Sequence, residues 1–351
     1  MAITLDIIAK EAGVGKSTVC RVLARHPNVA KNTDLKVRQT LRKLNYFPKN
    51  QGKNGGDGNS RVVGRRIMAV YNEDVGALIR KDPFFLEIFE ALQKCAKANG
   101  HLLSVNSICA AEKMPLPFRE FVAEHEIEGV VILGHLSVPD IKELLRAEVP
   151  IVSLEAPCYV VEVSSVIPDT IGGISSAVEH LFSLGHRRIG LVTSNALYES
   201  VLQMRFGYMR GLNMAGIAFD ENLVLTYAEN DKYQIATEIV RFVKESPSKP
   251  TALVLGGDIF APELTAKAGN YGIRIPEDLS LIGLGDTIAC EKCVPSLTSI
   301  WIDVPYMTTK ALDMLVARIE DTTLRPEKIL VPTSLIVRSS TTSPRHDESS
   351  Q

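Results

Sequence analysis

The feature that most constrains this chain is a pair of short amphipathic segments that flank one glycine-containing turn, within residues 4–23. Thr4 is suited to cap the first segment, and Ser17 and Thr18 open the second. Two short helices joined by such a turn form a helix-turn-helix, whose second helix can lie in the major groove of DNA. The apolar residues at helical spacing are Ile7, Ile8 and Ala12 in the first segment and Val19, Val22 and Leu23 in the second.

The distribution of charge favours nucleic acid as the partner of this segment. Residues 1–66 contain 14 Lys and Arg against 4 Asp and Glu, a net charge of +10. Of the 39 Lys and Arg and 41 Asp and Glu in the whole chain, 25 and 37 remain for the rest, a net charge of −12. A basic head on an acidic body is typical of a DNA-binding protein whose body does not bind phosphates.

The residues after the helix-turn-helix predict one more helix and then a linker. Residues 34–44 place Leu35, Val37, Leu41 and Leu44 at helical spacing and should close a three-helix head before Pro48. Residues 50–60 contain four glycines and no apolar side chain, a composition typical of a flexible linker.

From Arg65 onward, apolar strands alternate with amphipathic segments, which predicts parallel sheets covered by helices on both faces. The number of units indicates two lobes. The predicted divisions are a helix-turn-helix domain at 1–48, a glycine-rich linker at 49–64, a two-lobed core at 65–338 and a disordered polar tail at 339–351. The predicted strands are Ile67–Tyr71, Leu102–Asn106, Gly129–Leu133, Pro150–Leu154, Ile189–Val192, Leu223–Tyr227, Ala252–Leu255 and Leu279–Gly283.

The sequence predicts a soluble, cytoplasmic protein with no membrane partner. It has no run of about 18 apolar residues and no signal-peptide hydrophobic region at its N-terminus. Its six cysteines are scattered through a long chain, which fits reduced thiols better than a disulfide framework.

Several motifs, in order and at similar spacing, resemble the LacI/GalR family of bacterial transcription regulators over residues 3 to about 338. They include TLDIIAKEAGVGKSTVCRVLARHPNVAKNT, DPFFLEIFEALQKCAKANGH, HLFSLGHRRIGLV, PTALVLGGDIFAPEL and IPEDLSLIGLGDT. The resemblance implies an all-α helix-turn-helix head on an α/β, two-lobed effector core like that of periplasmic sugar-binding proteins. It also implies a homodimer that binds double-stranded operator DNA, most often as a repressor, and a small-molecule effector. No cofactor and no enzymatic activity are expected.

The resemblance and the helix-turn-helix geometry together assign the DNA contacts. Lys16, Ser17 and Arg21 lie at the start of the second helix, where side chains reach base edges. The hydroxyl and amide groups suited to phosphates belong to Thr4, Thr18, Asn28 and Thr33.

The effector is expected in the cleft between the lobes. Arg205 is the strongest candidate, because its planar guanidinium pairs with a carboxylate or bridges sugar hydroxyls. Asp258 follows a predicted strand, where open α/β sheets bind ligands. Phe84 and Phe85 either stack on a sugar face or belong to the core, and the sequence leaves both open. The resemblance adds Asn72, Glu155, Asp169 and Asp303 to the pocket, and Trp301 lies near the pocket or the hinge between the lobes.

A sugar or sugar acid is the expected effector, by analogy with the family. Glu199 and Val201 precede Arg205 where purine-binding members carry basic and hydroxyl residues, which disfavours a purine. The linker departs from the family, because residues 51–56 contain no leucine to wedge into the minor groove. Arg61, Arg65 and Arg66 could instead contact phosphates.

Other functional classes fit less well. Gly15–Thr18 ends like a phosphate-binding loop, but position 10 is lysine and the preceding segment is helical. The pair Cys290 and Cys293 has no second pair at metal-ligand spacing, so a structural role is favoured over redox sensing. A transport-type sugar receptor would have a signal peptide and no basic head. No nucleophile–base arrangement indicates an enzyme.

Overall fold

A computed structural model describes residues 5–23, 33, 36–37, 40, 64–72, 82–108, 117–195, 198–228 and 232–345. Thr4, Asn28, Arg61 and all of the predicted linker except Gly64 lie outside these residues. The chain divides into two compact units, Met1–Arg61 and Val62–Gln351. None of the described helices is long and apolar enough to cross a membrane.

The first unit contains the predicted helix-turn-helix, with α1 at Leu5–Ala12 and α2 at Lys16–Leu23. Gly13 ends α1 in the left-handed region at φ 64°, which a residue without Cβ adopts readily. Its N–H donates to the Lys10 carbonyl at 3.2 Å, and the Val14 N–H donates to the Ala9 carbonyl at 3.0 Å. This pair of bonds is the Schellman arrangement, which fixes the turn between the helices.

The core of the head contains predicted apolar residues from both helices, whereas the predicted Leu35, Leu41 and Leu44 lie outside the described residues. The buried side chains come from both helices and from the third predicted segment: Ile8, Ala9, Ala12, Val19, Val22 and Val37. Ile7 is 39% exposed, so the expectation that it shares one helical face with Ile8 and Ala12 is wrong. The two neighbouring isoleucines cannot share one helical face, because successive residues are turned by about 100°.

The second unit contains two six-stranded sheets. Its strands are β1 Arg66–Asn72, β2 Leu102–Ile108, β3 Gly129–Leu133, β4 Ile151–Leu154, β5 Ser164–Pro168, β6 Ile189–Ser194, β7 Val224–Tyr227, β8 Ala252–Leu255, β9 Ser280–Gly285, β10 Thr298–Trp301, β11 Lys328–Val331 and β12 Ser334–Ile336. Its described helices are α3 Pro83–Ala98, α4 Phe118–Glu124, α5 Val138–Leu145, α6 Thr170–Ser183, α7 Glu199–Met214, α8 Lys232–Glu245, α9 Ala261–Asn270, α10 Ile288–Lys292 and α11 Val304–Glu320.

The two sheets have corresponding strand orders and differ in the direction of one edge strand. The strand order is β11-β5-β4-β3-β1-β2 in lobe 1 and β12-β10-β9-β8-β6-β7 in lobe 2. All pairs are parallel except β10 with β12. The predicted fold class is confirmed, and each of the eight predicted strands is present. The prediction missed β5, β10, β11 and β12, which are short.

The chain crosses between the lobes three times. The first crossing, at Asp169, leads from β5 to α6, which packs on lobe 2. The second, at residues 302–303, leads from β10 to α11, which packs on β3, β4 and β5. The third, at residues 332–333, joins β11 to β12. These three short connections form the hinge between the lobes.

The prediction of a disordered tail from residue 339 is wrong for residues 339–345. Ser340 is fully buried in lobe 2. Its Oγ accepts from the Thr298 N–H at 2.8 Å and donates to the Leu281 carbonyl at 2.6 Å. Next to it, the Thr342 carbonyl accepts from the ring of His186 at 2.9 Å. A polar composition suggested solvent exposure, but these side chains complete the hydrogen bonding of β9 and β10.

We expect Ser340→Ala to lower the free energy of unfolding by about 2 kcal/mol, since it removes two buried hydrogen bonds, one from the Thr298 N–H and one to the Leu281 carbonyl. Ser343→Ala removes an exposed hydroxyl from the same segment and should change stability by less than about 0.5 kcal/mol. Urea unfolding of both variants measures the difference. Equal midpoints would show that the tail does not contribute to the folded core.

Candidate functional site

Helix α2 presents a polar face from a rigid base. Val19 and Val22 are buried in the head, whereas Lys16, Ser17 and Arg21 are exposed. Thr18 and Thr33 are partly buried. The three residues predicted to read bases therefore lie together on the accessible side of α2, which is the geometry that a recognition helix needs.

The carboxyl ends of the strands in the two sheets meet across a cleft. Phe84, at the start of α3 in lobe 1, lies over Gly285 at the end of β9 in lobe 2. Its Cδ2 is 3.4 Å from the position that a Cβ on Gly285 would occupy, and Asp258 Oδ2 is 3.3 Å from the same point. Phe85 packs edge-on against Phe84, with ring centroids 5.9 Å apart. Both phenylalanines are only partly buried, which fits a cleft wall as well as a core edge.

A second contact across the cleft joins His135 to Tyr198. Their ring centroids are 4.9 Å apart, and the rings are tilted by 36°. His135 follows β3, and Tyr198 is the residue before α7, which follows β6. Sequence reasoning missed this pair, although each residue follows the carboxyl end of a predicted strand, the place where ligands of parallel sheets bind.

Two carboxylates of lobe 1 face this region from unfavourable surroundings. Burial raises the pKa of Asp82 to about 6, and the neighbouring carboxylate of Asp258 adds to the rise, although the Phe84 N–H bonds to Asp82 at 2.9 Å. Burial also raises the pKa of Glu155 to about 7, and Asp82 contributes. Glu155 has φ 80°, a conformation that L-residues rarely adopt and that is often found at functional sites.

Asp258 was predicted to bind the effector, but its carboxylate is bound within lobe 2. The residue is 2% exposed. Its oxygens accept from the Ser299 hydroxyl at 2.8 Å and from the Thr287 N–H at 2.9 Å. Burial raises its pKa, and these donors oppose the rise. Asp258 therefore organises the ends of β9 and β10 beside the cleft.

Met204, rather than Arg205, lies at the strand ends of lobe 2. Its Sδ is 3.7 Å from Thr193 Oγ1 on β6 and 3.2 Å from the position that a Cβ on Gly256 would occupy after β8. Arg205 is turned by about 100° along the helix. It is exposed, and it forms no ion pair or hydrogen bond with the described residues. The prediction that Arg205 is the principal pocket residue is not supported by this geometry.

The remaining predicted pocket residues lie at the hinge or at a strand end. Asp169 caps α6 by accepting from the Gly172 N–H at 2.8 Å, and Asp303 caps α11 by accepting from the Tyr306 N–H at 3.0 Å. Trp301 ends β10 beside the second crossing. Asn72 ends β1 and is partly buried.

The alternative chemistries find no support in the geometry. Cys290 and Cys293 are buried, and burial raises the pKa of both thiols, that of Cys293 to about 11. A protonated, inaccessible thiol reacts poorly. Within the described part of the chain, no three His, Cys, Asp or Glu side chains are arranged to hold a metal ion.

The arginines at the start of the core are engaged by carboxylates. Arg65 forms an ion pair with Glu128 at 2.7 Å and approaches Glu320 at 3.7 Å, and Arg66 approaches Glu126 at 3.4 Å. The suggestion that Arg65 and Arg66 contact DNA phosphates therefore competes with these ion pairs at the surface of the second unit.

Comparison with known proteins agrees with this arrangement. Residues 4–49 match the bacterial regulatory proteins of the lacI family, and residues 178–341 match the periplasmic binding protein-like domain. The chain is 25% identical over 342 residues to the HTH-type transcriptional repressor CytR of Escherichia coli (strain K12), which covers 97% of this chain and 96% of that protein. It is 25% identical over 347 residues to catabolite control protein A of Priestia megaterium, covering 97% and 100% of the two chains.

A solved structure extends the likeness to the whole fold. The complex of the transcriptional regulator CelR with cellobiose superimposes with a TM-score of 0.69 and 25% identity, covering 97% of this chain and 100% of that chain. The family matches include both the head and the core, and the relatives are regulators over their full length. Residues 4–49 are therefore a helix-turn-helix domain of the lacI family, and the chain is a DNA-binding transcriptional regulator with a two-lobed core like that of periplasmic binding proteins.

Proposed function

We propose that this protein is a cytoplasmic, homodimeric repressor whose affinity for operator DNA is changed by a small molecule bound between its lobes. The observation that carries the DNA-binding part is the exposed group Lys16, Ser17 and Arg21 on a helix whose other face is buried. The relative CytR is a repressor, and the transcriptional regulator CelR, which has a similar fold, forms a complex with cellobiose.

The head reads DNA by placing α2 in the major groove. Lys16 and Arg21 suit guanine edges, and Ser17 adds a hydroxyl that bonds either donors or acceptors. Thr4, Thr18, Asn28 and Thr33 remain assigned to phosphates. A dimer would present two such helices to two half-sites, which is how helix-turn-helix regulators usually reach specificity.

The effector site that the geometry favours differs from the predicted one. Asn72, Phe84, Phe85 and Glu155 stay in it, and Asp82, His135, Tyr198 and Met204 join it. Asp169, Asp258 and Asp303 support it through helix caps and strand ends. A ligand that contacts both lobes stabilises one relative lobe position, and this difference in affinity between states changes DNA binding.

Arg21→Ala should weaken binding to an operator obtained by in vitro selection by about 1–3 kcal/mol, or about 5- to 150-fold, because one base contact is lost. Binding to unrelated DNA should fall much less. Lys10→Ala removes a positive charge from α1 and should leave the ratio of the two affinities unchanged. Fluorescence anisotropy with both DNAs measures this ratio, and an unchanged ratio for Arg21→Ala would contradict base reading.

Phe84→Ala should reduce the ligand-induced rise in melting temperature by more than half, because the ring closes the cleft against Gly285. Operator binding without ligand should persist. Tyr159→Ala removes a ring that is 71% exposed and serves as the control. A full ligand response in Phe84→Ala would place the effector elsewhere.

The raised pKa values of the cleft carboxylates predict that stability depends on pH. Asp82 and Glu155 have ordinary pKa values near 4 when unfolded, and these rise to about 6 and about 7 in the folded protein. The folded state therefore binds more protons between about pH 4 and 7, so their contribution to stability falls as pH rises through this range. The double variant Asp82→Asn, Glu155→Gln should flatten this decline in melting temperature. Glu221→Gln, at an exposed position, should not.

A further inference from the structure

We infer that the cleft accepts an uncharged or amine-bearing ring compound and rejects anionic ones, and that Met204 decides this selectivity. The inference rests on the proposed effector site. It replaces the broader expectation of a sugar or a sugar acid with a narrower chemical class, which follows from the side chains that face the cleft.

The wall of the cleft in lobe 1 is acidic. Asp82 and Glu155 present carboxylates there, close enough for Asp82 to disfavour ionisation of Glu155. Across the described ranges, no lysine or arginine forms an ion pair with either of them. Arg338 is paired with Asp286 inside lobe 2, where both side chains are largely buried. In their ionised form, these two carboxylates accept hydrogen bonds from hydroxyl or ammonium groups and repel carboxylates and phosphates.

The floor of the cleft in lobe 2 is apolar and is formed by Met204. The order β7-β6-β8 places the topological switch point between β6 and β8, where sheets of this type bind ligands. Met204 covers this point, with its Sδ against Thr193 and over the space that Gly256 leaves free. A thioether is polarisable and apolar, so it packs against a ring face and provides no donor to an anion.

Aromatic rings surround this floor. Phe84 covers Gly285 at the end of β9, and the Tyr198 and His135 rings meet above β6 and β3. Aromatic rings present flat apolar faces that pack against the C–H face of a sugar or against a base. The ligand that fits has one apolar ring face toward lobe 2 and donors toward Asp82 and Glu155.

The test uses the full-length protein and a library of neutral sugars and nucleosides. Each member is paired with its uronate, aldonate or phosphate, and the sugars also with their amino derivatives. Thermal shift identifies the members that bind, and calorimetry gives their dissociation constants. We expect every stabilising ligand to be neutral or amine-bearing, and its paired anion to bind at least tenfold more weakly.

Variants at two adjacent positions test the role of Met204. Met204→Arg should narrow or reverse the preference for the neutral member of each pair by at least tenfold, because it supplies a cation at the switch point. Met204→Leu keeps an apolar side chain of similar size and should retain the wild-type ranking. Arg205→Ala should retain it as well, since Arg205 is exposed and is turned by about 100° from Met204 along the helix.

The wild-type ranking decides the inference even where Met204→Arg does not fold. An anion that binds as tightly as its neutral partner would overturn it, and so would a library in which no member binds. An unchanged ranking in a folded Met204→Arg would overturn the role of Met204. Selective operator binding, measured on the same preparations, separates these outcomes from a failure of the proposed function.

Discussion

The core depends on Asp169, which forms hydrogen bonds with residues of two of the three crossings between the lobes. Its carboxylate caps α6 through the Gly172 N–H, its own N–H donates to the Val331 carbonyl at 2.8 Å, and its carbonyl accepts from Thr333 Oγ1 at 3.1 Å. A Cβ at position 172 would lie 2.3 Å from that carboxylate, so a larger residue there would displace the carboxylate from this cap. One residue thus joins the first crossing to the third, and the lobes share a single, closely bonded hinge.

The position of this hinge determines which strand ends face each other across the cleft. The crossings follow β5 and β10, near one edge of each sheet. Farther from that edge, the carboxyl ends of the strands face each other across the cleft, where Phe84 contacts Gly285 and His135 contacts Tyr198. The second crossing begins α11, which packs on lobe 1 and ends with Glu320 beside Arg65. A single helix therefore extends from the hinge to the residues at which the core begins.

Much of the architecture could be predicted from the sequence. The helical spacing of apolar residues is clear in the amphipathic helices, and continuous apolar runs are clear in the fully buried strands. The helix-turn-helix followed from the spacing of Ile8, Ala12, Val19 and Val22, and the parallel sheets followed from eight apolar runs. The short strands β11 and β12 could not be predicted, since three or four residues with alternating exposure carry little periodic pattern. The segment at residues 339–345 was mistaken for a tail because its polar side chains bond to strands far away in sequence.

The sequence by itself determined the fold class, the helix-turn-helix and the resemblance to bacterial transcription regulators, since each depends on local spacing or on ordered motifs. Only the tertiary structure decided the chemistry of the cleft. Arg205 and Met204 are neighbours in sequence, yet one is exposed and the other covers the switch point. Asp258 follows a strand as expected, yet its carboxylate bonds to Ser299 and Thr287. The direction of a side chain depends on helix rotation and on distant partners, which no local pattern of residues records.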